Sequence, residues 1–254
     1  MSVSKPEERI HWELCRRDAH TFIFGMDTPE GRTHFLYTKD EHNIYHPTQP
    51  FPDLPYLRVM VDYFLVGGHI IPPHKAKFAL EWGTPLAHLE RLNETAIVAV
   101  EKSRQVMITW IALAYILWRA KFMEHQLIMV QSKREADAQK LVCVKESEPD
   151  AARLTFMETH LPAYMRSVDF SRRGATSKCN VYFDSGSHVW GIPEGGSIIR
   201  SHTPSVLFSD EAAFQPAFGE AYRAALPAIR GGGQAIFVSS AELGEFADLL
   251  EVKN

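Results

Sequence analysis

Between residues 95 and 240, apolar runs of strand length alternate with segments of helical character. TAIVAVE, QLIMVQS, SVLFSDE and QAIFVSS are four such runs, and each contains consecutive large apolar residues rather than a strict apolar–polar alternation. A strand that is apolar on both faces has to be covered on both faces, which favours a parallel sheet between two layers of helices. The sequence therefore predicts an α/β fold with a doubly wound, mainly parallel sheet.

The first ninety residues have a different character. They contain most of the histidines and the proline-rich stretch HPTQPFPDLPYLR, which cannot form a long regular helix. Within them we predict a hairpin in residues 21–38 and a helix near Tyr56 to Leu65. The chain is accordingly divided into an N-terminal segment, residues 1–90, which wraps a core formed by residues 91–254.

Composition and charge exclude several classes of protein. With 45% hydrophobic and 23% charged residues, the chain has the composition of a packed globular protein. Lys and Arg number 27 against 31 Asp and Glu, a net charge of −4, so the chain as a whole is not a basic, DNA-coating protein.

The cysteines and the longest apolar run bear on the setting of the protein. An odd count of three cysteines without a CxxC pair favours neither a disulfide framework nor a zinc site, and it indicates a reducing, cytoplasmic setting. The apolar run from Val106 to Trp118 contains Thr109 and is shorter than the roughly 20 residues that a membrane span needs. It predicts a buried helix, and we expect no membrane partner.

The segment from residue 102 to residue 109 lies between a predicted strand and this helix, where a phosphate-binding loop is found in many nucleotide-binding proteins. Its residues are Lys102, Ser103, Arg104, Gln105, Val106, Met107, Ile108 and Thr109. Aligned with G-x-x-x-x-G-K-[ST], the segment has Thr109 at the magnesium-binding hydroxyl and Ile108 in place of the lysine. Lys102 and Arg104 are cations that could replace that lysine, although an ordinary strand–loop–helix connection would also fit this pattern.

A pair of carboxylates follows the third apolar run. Asp210 and Glu211 end SVLFSDE, as in a Walker B motif, where the first acid holds magnesium and the second orients and deprotonates the attacking water. Paired acids also cap helices, so the pair alone does not decide between these functions. Ser239 and Ser240 end the next apolar run, where their hydroxyls could bind a γ-phosphate or its water.

Taken together, KSRQVMITW, GIPEGGSIIRSHTPSVLFSDEAAF and IFVSSA resemble the ATPase domain of the large terminase subunit, the packaging motor of tailed bacteriophages. The resemblance covers residues 95–241. It implies a RecA/ASCE-type P-loop NTPase that uses ATP and Mg²⁺ to drive double-stranded viral DNA into a procapsid. It further implies portal protein and small terminase subunit as partners, a homo-oligomeric ring on the procapsid in the host cytoplasm, and an isolated domain that is monomeric.

The resemblance also assigns residues. Terminases often use a displaced arginine or lysine in the phosphate loop, which makes Arg104 the catalytic loop cation. Thr109 and Asp210 become the magnesium-binding pair, Glu211 the base, and Ser239 with Ser240 the coupling motif.

Two further assignments are open to other interpretations. Arg200 is the candidate for an arginine that acts in the neighbouring subunit's site, although a surface arginine that binds DNA, or nothing, is equally compatible with the sequence. Gln49 is the only glutamine upstream of Gln105 and hence the candidate for the adenine contact. The family's C-terminal nuclease domain is expected to be absent, and with it any nuclease activity.

Two alternatives accompany this interpretation. A superfamily 2 helicase core shares the acidic pair and the small-hydroxyl strand, but it normally keeps the loop lysine and a second RecA-like domain. A catalytically silent scaffold that docks on a portal or small terminase subunit is favoured by Ile108 and Met107 in place of lysine and glycine. The intact Asp210–Glu211 pair opposes the scaffold.

Overall fold

The computed structural model of the protein describes residues 5–39, 48–67, 97–103, 106–172 and 174–251. Its strands are β1 (Met26–Thr28), β2 (Gly31–Thr33), β3 (Tyr37–Lys39), β4 (Thr48–Pro50), β5 (Ile97–Glu101), β6 (Leu127–Gln131), β7 (Thr176–Ser177), β8 (Asn180–Tyr182), β9 (His188–Ile192), β10 (Val206–Asp210) and β11 (Gln234–Ser239). Its helices are α1 (Pro6–Arg17), α2 (Ala19–Phe24), α3 (Pro55–Gly67), α4 (Ile108–Phe122), α5 (Glu135–Leu141), α6 (Arg153–Thr159), α7 (Ser197–Arg200), α8 (Phe218–Arg230) and α9 (Glu245–Glu251). Short 3₁₀ turns cover Pro149–Ala151, Ala163–Met165 and Ala212–Phe214.

A seven-stranded sheet with the order β5-β11-β10-β6-β9-β8-β7 forms the centre of the fold. Its first five strands are parallel, and β8 and β7 extend one edge in antiparallel fashion. Asp210 pairs in register with Val238, and Ser239 pairs with Glu101, so β10, β11 and β5 end side by side. The predicted doubly wound, mainly parallel α/β sheet is confirmed.

Both faces of this sheet are covered by helices. Along β10, Val206 and Phe208 belong to the hydrophobic cluster that contains α4, whereas Leu207 belongs to a second cluster with residues of α8 and α9. Alternate side chains of a strand point to opposite faces, so the two clusters lie on the two sides of the sheet. In α4 all residues but Thr109 and Phe122 are buried, as the apolar run predicts.

The N-terminal helices α2 and α3 contribute to the larger of the two hydrophobic clusters. α2 and α3 contact α4, and the Phe64 ring lies 5.5 Å from the Tyr115 ring, measured between centroids. The predicted helix near Tyr56 to Leu65 is found as α3. The predicted hairpin is shorter than expected, because the Asp18 carboxylate accepts hydrogen bonds from the His20 and Thr21 amides and so caps α2.

Only the β1–β2 pair forms a hairpin within residues 21–38, and β3 pairs with β4 instead. Residues 149–165 form two 3₁₀ turns separated by α6, with Pro162 just before the second turn. Within the ranges that the structure describes, no helix has the length and apolar character of a membrane span.

Candidate functional site

The end of β10 meets the start of α4 in a direct hydrogen bond. Thr109 Oγ1 donates to Asp210 Oδ1 at 2.9 Å, across 101 residues of sequence. The parallel sheet accounts for this meeting, because β5 leads into α4 at the same edge at which β10 ends. The two residues expected to share a magnesium site are therefore adjacent.

The second carboxylate contacts a cation of the 102–109 segment. Lys102 Nζ lies 3.0 Å from Glu211 Oε1, and 8% of the lysine side chain is exposed against 41% of the glutamate side chain. Glu211 has left-handed backbone angles, φ 53° and ψ 44°, at the turn that follows β10. Non-glycine residues rarely adopt this conformation, and such residues cluster at functional sites.

These side chains border a cleft with a volume of about 580 Å³, a size suited to a nucleotide. It is lined by Lys102, Ser132, Lys133, Asp137, Lys140, Leu141, Arg153, Asp210, Glu211, Phe214 and Ser240. The cleft lies at the carboxyl edge of the parallel strands, where open α/β sheets bind their ligands.

The electrostatics of Asp210 favour a cation. Burial raises the pKa of this carboxyl, and the Glu211 carboxylate raises it further. The hydrogen bond from Thr109 and the charges of Lys102 and Arg153 act in the opposite direction. Because burial penalises the ionised form, a divalent cation beside Asp210 would relieve a cost that the ligand-free fold carries.

Thr109 Oγ1 and Asp210 Oδ1 are oxygen atoms of the kind that Mg²⁺ binds. Magnesium binds oxygen ligands and is usually held by one or two protein groups together with phosphates and water. A hydroxyl and a carboxylate 2.9 Å apart, beside a cleft that also contains Glu211, form such a partial set. Thr109 and Asp210 are thus the residues that would hold the metal.

The rest of the 102–109 segment forms the connection between β5 and α4. Ile108, at the position of the usual lysine, is 4% exposed and belongs to the larger hydrophobic cluster, and Val106 and Met107 pack against it. Ser103 is exposed, while Arg104 and Gln105 lie outside the described residues. Position 108 therefore presents no cation to the cleft.

The two serines at the end of β11 have different surroundings. Ser240 lines the cleft. Ser239 is fully buried, and its Oγ accepts a hydrogen bond of 3.1 Å from the Ala213 amide, just beyond Glu211. The Ser239 carbonyl accepts a hydrogen bond of 2.9 Å from the Lys102 amide, so this serine links Lys102 to the turn that follows Glu211.

Two predicted site residues lie outside this set. Arg200, at the end of α7, is 57% exposed and its Nη1 lies 3.0 Å from Glu220 Oε1. Gln49 lies in β4 opposite Thr38 of β3. Neither residue is among those that line the cleft.

Sequence reasoning missed the part of the cleft lining that residues 132–153 supply. Ser132 and Lys133 directly follow β6, so the rule that applies to Asp210 could have found them. Lys140 and Arg153 come from α5 and α6, and no local pattern marks them. Arg153 reaches the cleft because α6 packs against α4.

Comparison with known proteins rests on structure. No protein-family model matches the chain, and no curated protein sequence matches it. The crystal structure of the HK97 bacteriophage large terminase is similar over 94% of this chain and 42% of that chain, with a TM-score of 0.57 and 12% sequence identity. The large terminase ATPase domain of Thermus phage P74-26 has a TM-score of 0.40 and 17% identity over 60% of this chain and 63% of that chain.

This chain thus spans less than half the length of the HK97 protein. At 12% identity, the similarity establishes a shared fold. The chain therefore shares the α/β fold of the HK97 bacteriophage large terminase.

Proposed function

We propose that this protein is a Mg²⁺-dependent ATPase and the motor domain of a large terminase, which drives double-stranded viral DNA into a procapsid. The observation that carries the proposal is the meeting of Thr109 with Asp210, with the Lys102–Glu211 pair beside it. A phosphate-loop hydroxyl, a metal-binding carboxylate, a carboxylate that acts as general base and a cation are the parts that ATP hydrolysis requires.

Each residue has a distinct role in this proposal. The phosphates of ATP lie along residues 102–109, and Lys102 and Arg104 supply positive charge in place of the missing lysine. Thr109 and Asp210 would hold Mg²⁺, which would supply positive charge beside the phosphates. Glu211 accepts a proton from the attacking water, and Ser240 hydrogen-bonds the γ-phosphate.

The Lys102–Glu211 contact gives ATP binding a second effect. Lys102 Nζ lies 3.0 Å from Glu211 Oε1, so the lysine occupies a hydrogen-bonding position on the carboxylate that is proposed to accept the proton. Phosphate oxygens would compete for Lys102 Nζ and so leave Glu211 available to water. Glu211 is thereby restrained until nucleotide is bound.

Hydrolysis would be transmitted through the end of β11. Ser239 Oγ accepts a hydrogen bond from the amide of Ala213, two residues after Glu211, and the Ser239 carbonyl accepts one from the Lys102 amide. If the backbone at Lys102 or at Ala213 moves when phosphate leaves, β11 therefore moves with it. We propose that this displacement reaches the DNA-gripping parts of the motor.

The test of the proposed activity is steady-state ATP hydrolysis with and without Mg²⁺. We expect phosphate release by the wild-type chain that stops when EDTA removes the metal. The rival function, a silent scaffold, is favoured by the buried Ile108 at the lysine position. Absence of both ATP binding and hydrolysis at millimolar Mg²⁺–ATP would support the scaffold and contradict the motor.

The partners belong to the same proposal. As in the motor that the sequence resembles, we propose that copies of this chain form a ring on the procapsid in the cytoplasm of the infected cell. The ring would contact the portal protein, the small terminase subunit and double-stranded DNA. Stimulation of hydrolysis by procapsids that carry portal, and not by procapsids without it, would support this assembly.

Arg200 gives this assembly a specific prediction. Its guanidinium is exposed outside the cleft of its own chain, where it pairs with Glu220. If it neutralises charge on the phosphoryl group of a neighbour, Arg200→Ala should lower kcat about 10³-fold in the ring and leave ATP binding unchanged.

A mixing experiment separates action in trans from action in cis. Arg200→Ala chains keep Glu211, and Glu211→Gln chains keep Arg200, so a mixed ring would contain some complete sites. We expect the mixture to hydrolyse ATP faster than either variant alone. No recovery in mixed rings, or loss of ATP binding by Arg200→Ala, would contradict the role in trans.

A further inference from the structure

The lining of the cleft includes an arginine, Arg153, that neither the sequence pattern nor the proposed roles use. We propose that Arg153 is a phosphate-binding residue that contacts the phosphate chain of the nucleotide within its own subunit. This inference rests on the proposed function, since it assigns a further contact to the same ligand.

The position of Arg153 is fixed by its surroundings. It is the first residue of α6, it is half-buried, and it lines the cleft together with Asp210 and Glu211. Its guanidinium carbon lies 5.6 Å from the centre of the Trp110 ring, at the start of α4. Such a contact holds a guanidinium in place, which lowers the entropy that is lost when it binds a ligand.

Lys133 and Lys140, which also line the cleft, are held less firmly than Arg153. Lys133 is exposed and directly follows the strand end. The Lys140 side chain is 71% exposed, and its Nζ lies 3.9 Å from Asp137 Oδ1. An exposed lysine pairs weakly and retains its side-chain freedom, so Arg153 is the preorganised cation of the three.

The carboxylates of the cleft increase the need for positive charge beside a bound phosphate. Asp210 and Glu211 add negative charge next to a site for a polyanion. Arg153 lines the same cleft as Asp210, so phosphates bound in this cleft would lie beside a guanidinium.

The test is equilibrium binding of Mg²⁺–ATP, Mg²⁺–ADP and AMP to the wild type and to Arg153→Gln and Arg153→Lys. A lost charge-assisted hydrogen bond corresponds to a roughly 10- to 100-fold loss of affinity. We expect a loss of this size for ATP, a smaller loss for ADP and little change for AMP. Arg153→Lys should recover part of the ATP affinity because it keeps the charge.

A matched control is Arg16→Gln, since Arg16 also lies over a tryptophan ring, that of Trp12, at 6.0 Å and outside the cleft. It should leave all three affinities unchanged. A merely structural role of Arg153 would lower the three affinities by the same factor, with no recovery by lysine, and would overturn the inference. Wild-type affinity for ATP in Arg153→Gln would overturn it and leave the proposed ATPase intact, whereas failure of the wild type to bind ATP would overturn both.

Discussion

Replacing Glu211 with glutamine should lower kcat for ATP hydrolysis about 10²- to 10⁴-fold and leave the affinity for Mg²⁺–ATP within a few-fold of the wild-type value. Glutamine keeps the size and the acceptor oxygen that faces Lys102, but it cannot take a proton from water. The effect should therefore fall on the chemical step alone, and single-turnover hydrolysis measured beside equilibrium ATP binding would show this separation.

The matched control is Glu135→Gln. Glu135 is likewise paired with a lysine, at 2.8 Å from Lys178 Nζ, but it lies on α5 outside the cleft. Its kcat should equal that of the wild type. Wild-type turnover by Glu211→Gln would remove Glu211 from the mechanism, and a parallel loss of binding would indicate a structural function.

Replacing Asp210 with asparagine should have two effects of opposite sign. It should lower Mg²⁺-dependent hydrolysis about 10²-fold or more, because the metal loses its anionic protein ligand. It should raise the melting temperature of the ligand-free protein, because burial penalises the ionised carboxylate. Asparagine can still accept the hydrogen bond from Thr109.

The gain in stability should depend on pH in a defined direction. The folded state raises the pKa of Asp210, so the carboxyl binds its proton more tightly there than in the unfolded chain. Ionisation then destabilises the fold at a pH above the folded pKa, and this cost disappears below about pH 4, where both states are protonated. The melting temperatures of variant and wild type should thus differ at neutral pH and converge in acid.

Asp137→Asn is the control for this prediction. Asp137 lines the same cleft but is bonded to Arg134 at 2.8 Å, so its loss should not stabilise the fold or abolish the metal dependence of hydrolysis. A lower melting temperature for Asp210→Asn at neutral pH, with hydrolysis retained, would contradict both parts of the prediction.

The parts of the fold that short patterns encode were predictable. Consecutive apolar residues identify β10 and β11 as strands covered on both faces, and the parallel arrangement then brings their ends to one edge. The same logic placed Asp210 near Thr109. The hairpin in residues 21–38 was partly wrong because the Asp18 cap, a single side chain, turns an apolar stretch with strand character into helix α2.

The sequence predicted the site residues that lie at strand ends and in the 102–109 segment, but not the contacts that side chains from other elements make with them. The Lys102–Glu211 pair joins residues 109 positions apart and depends on side-chain directions that no spacing encodes. Arg153 lines the cleft because α6 packs against α4 and because Trp110 lies beneath its guanidinium. Such contacts are products of tertiary packing, so the Lys102–Glu211 pairing and the position of Arg153 were missing from the sequence interpretation.

A crystal structure of the protein with Mg²⁺ and a non-hydrolysable ATP analogue would test the proposed magnesium site. We expect the triphosphate against residues 102–109 and the metal bound by Thr109 and Asp210. We also expect Lys102 to turn from Glu211 towards the phosphates. An analogue bound outside this cleft, or a Thr109–Asp210 hydrogen bond that persists with no metal beside it, would contradict the proposed ATPase.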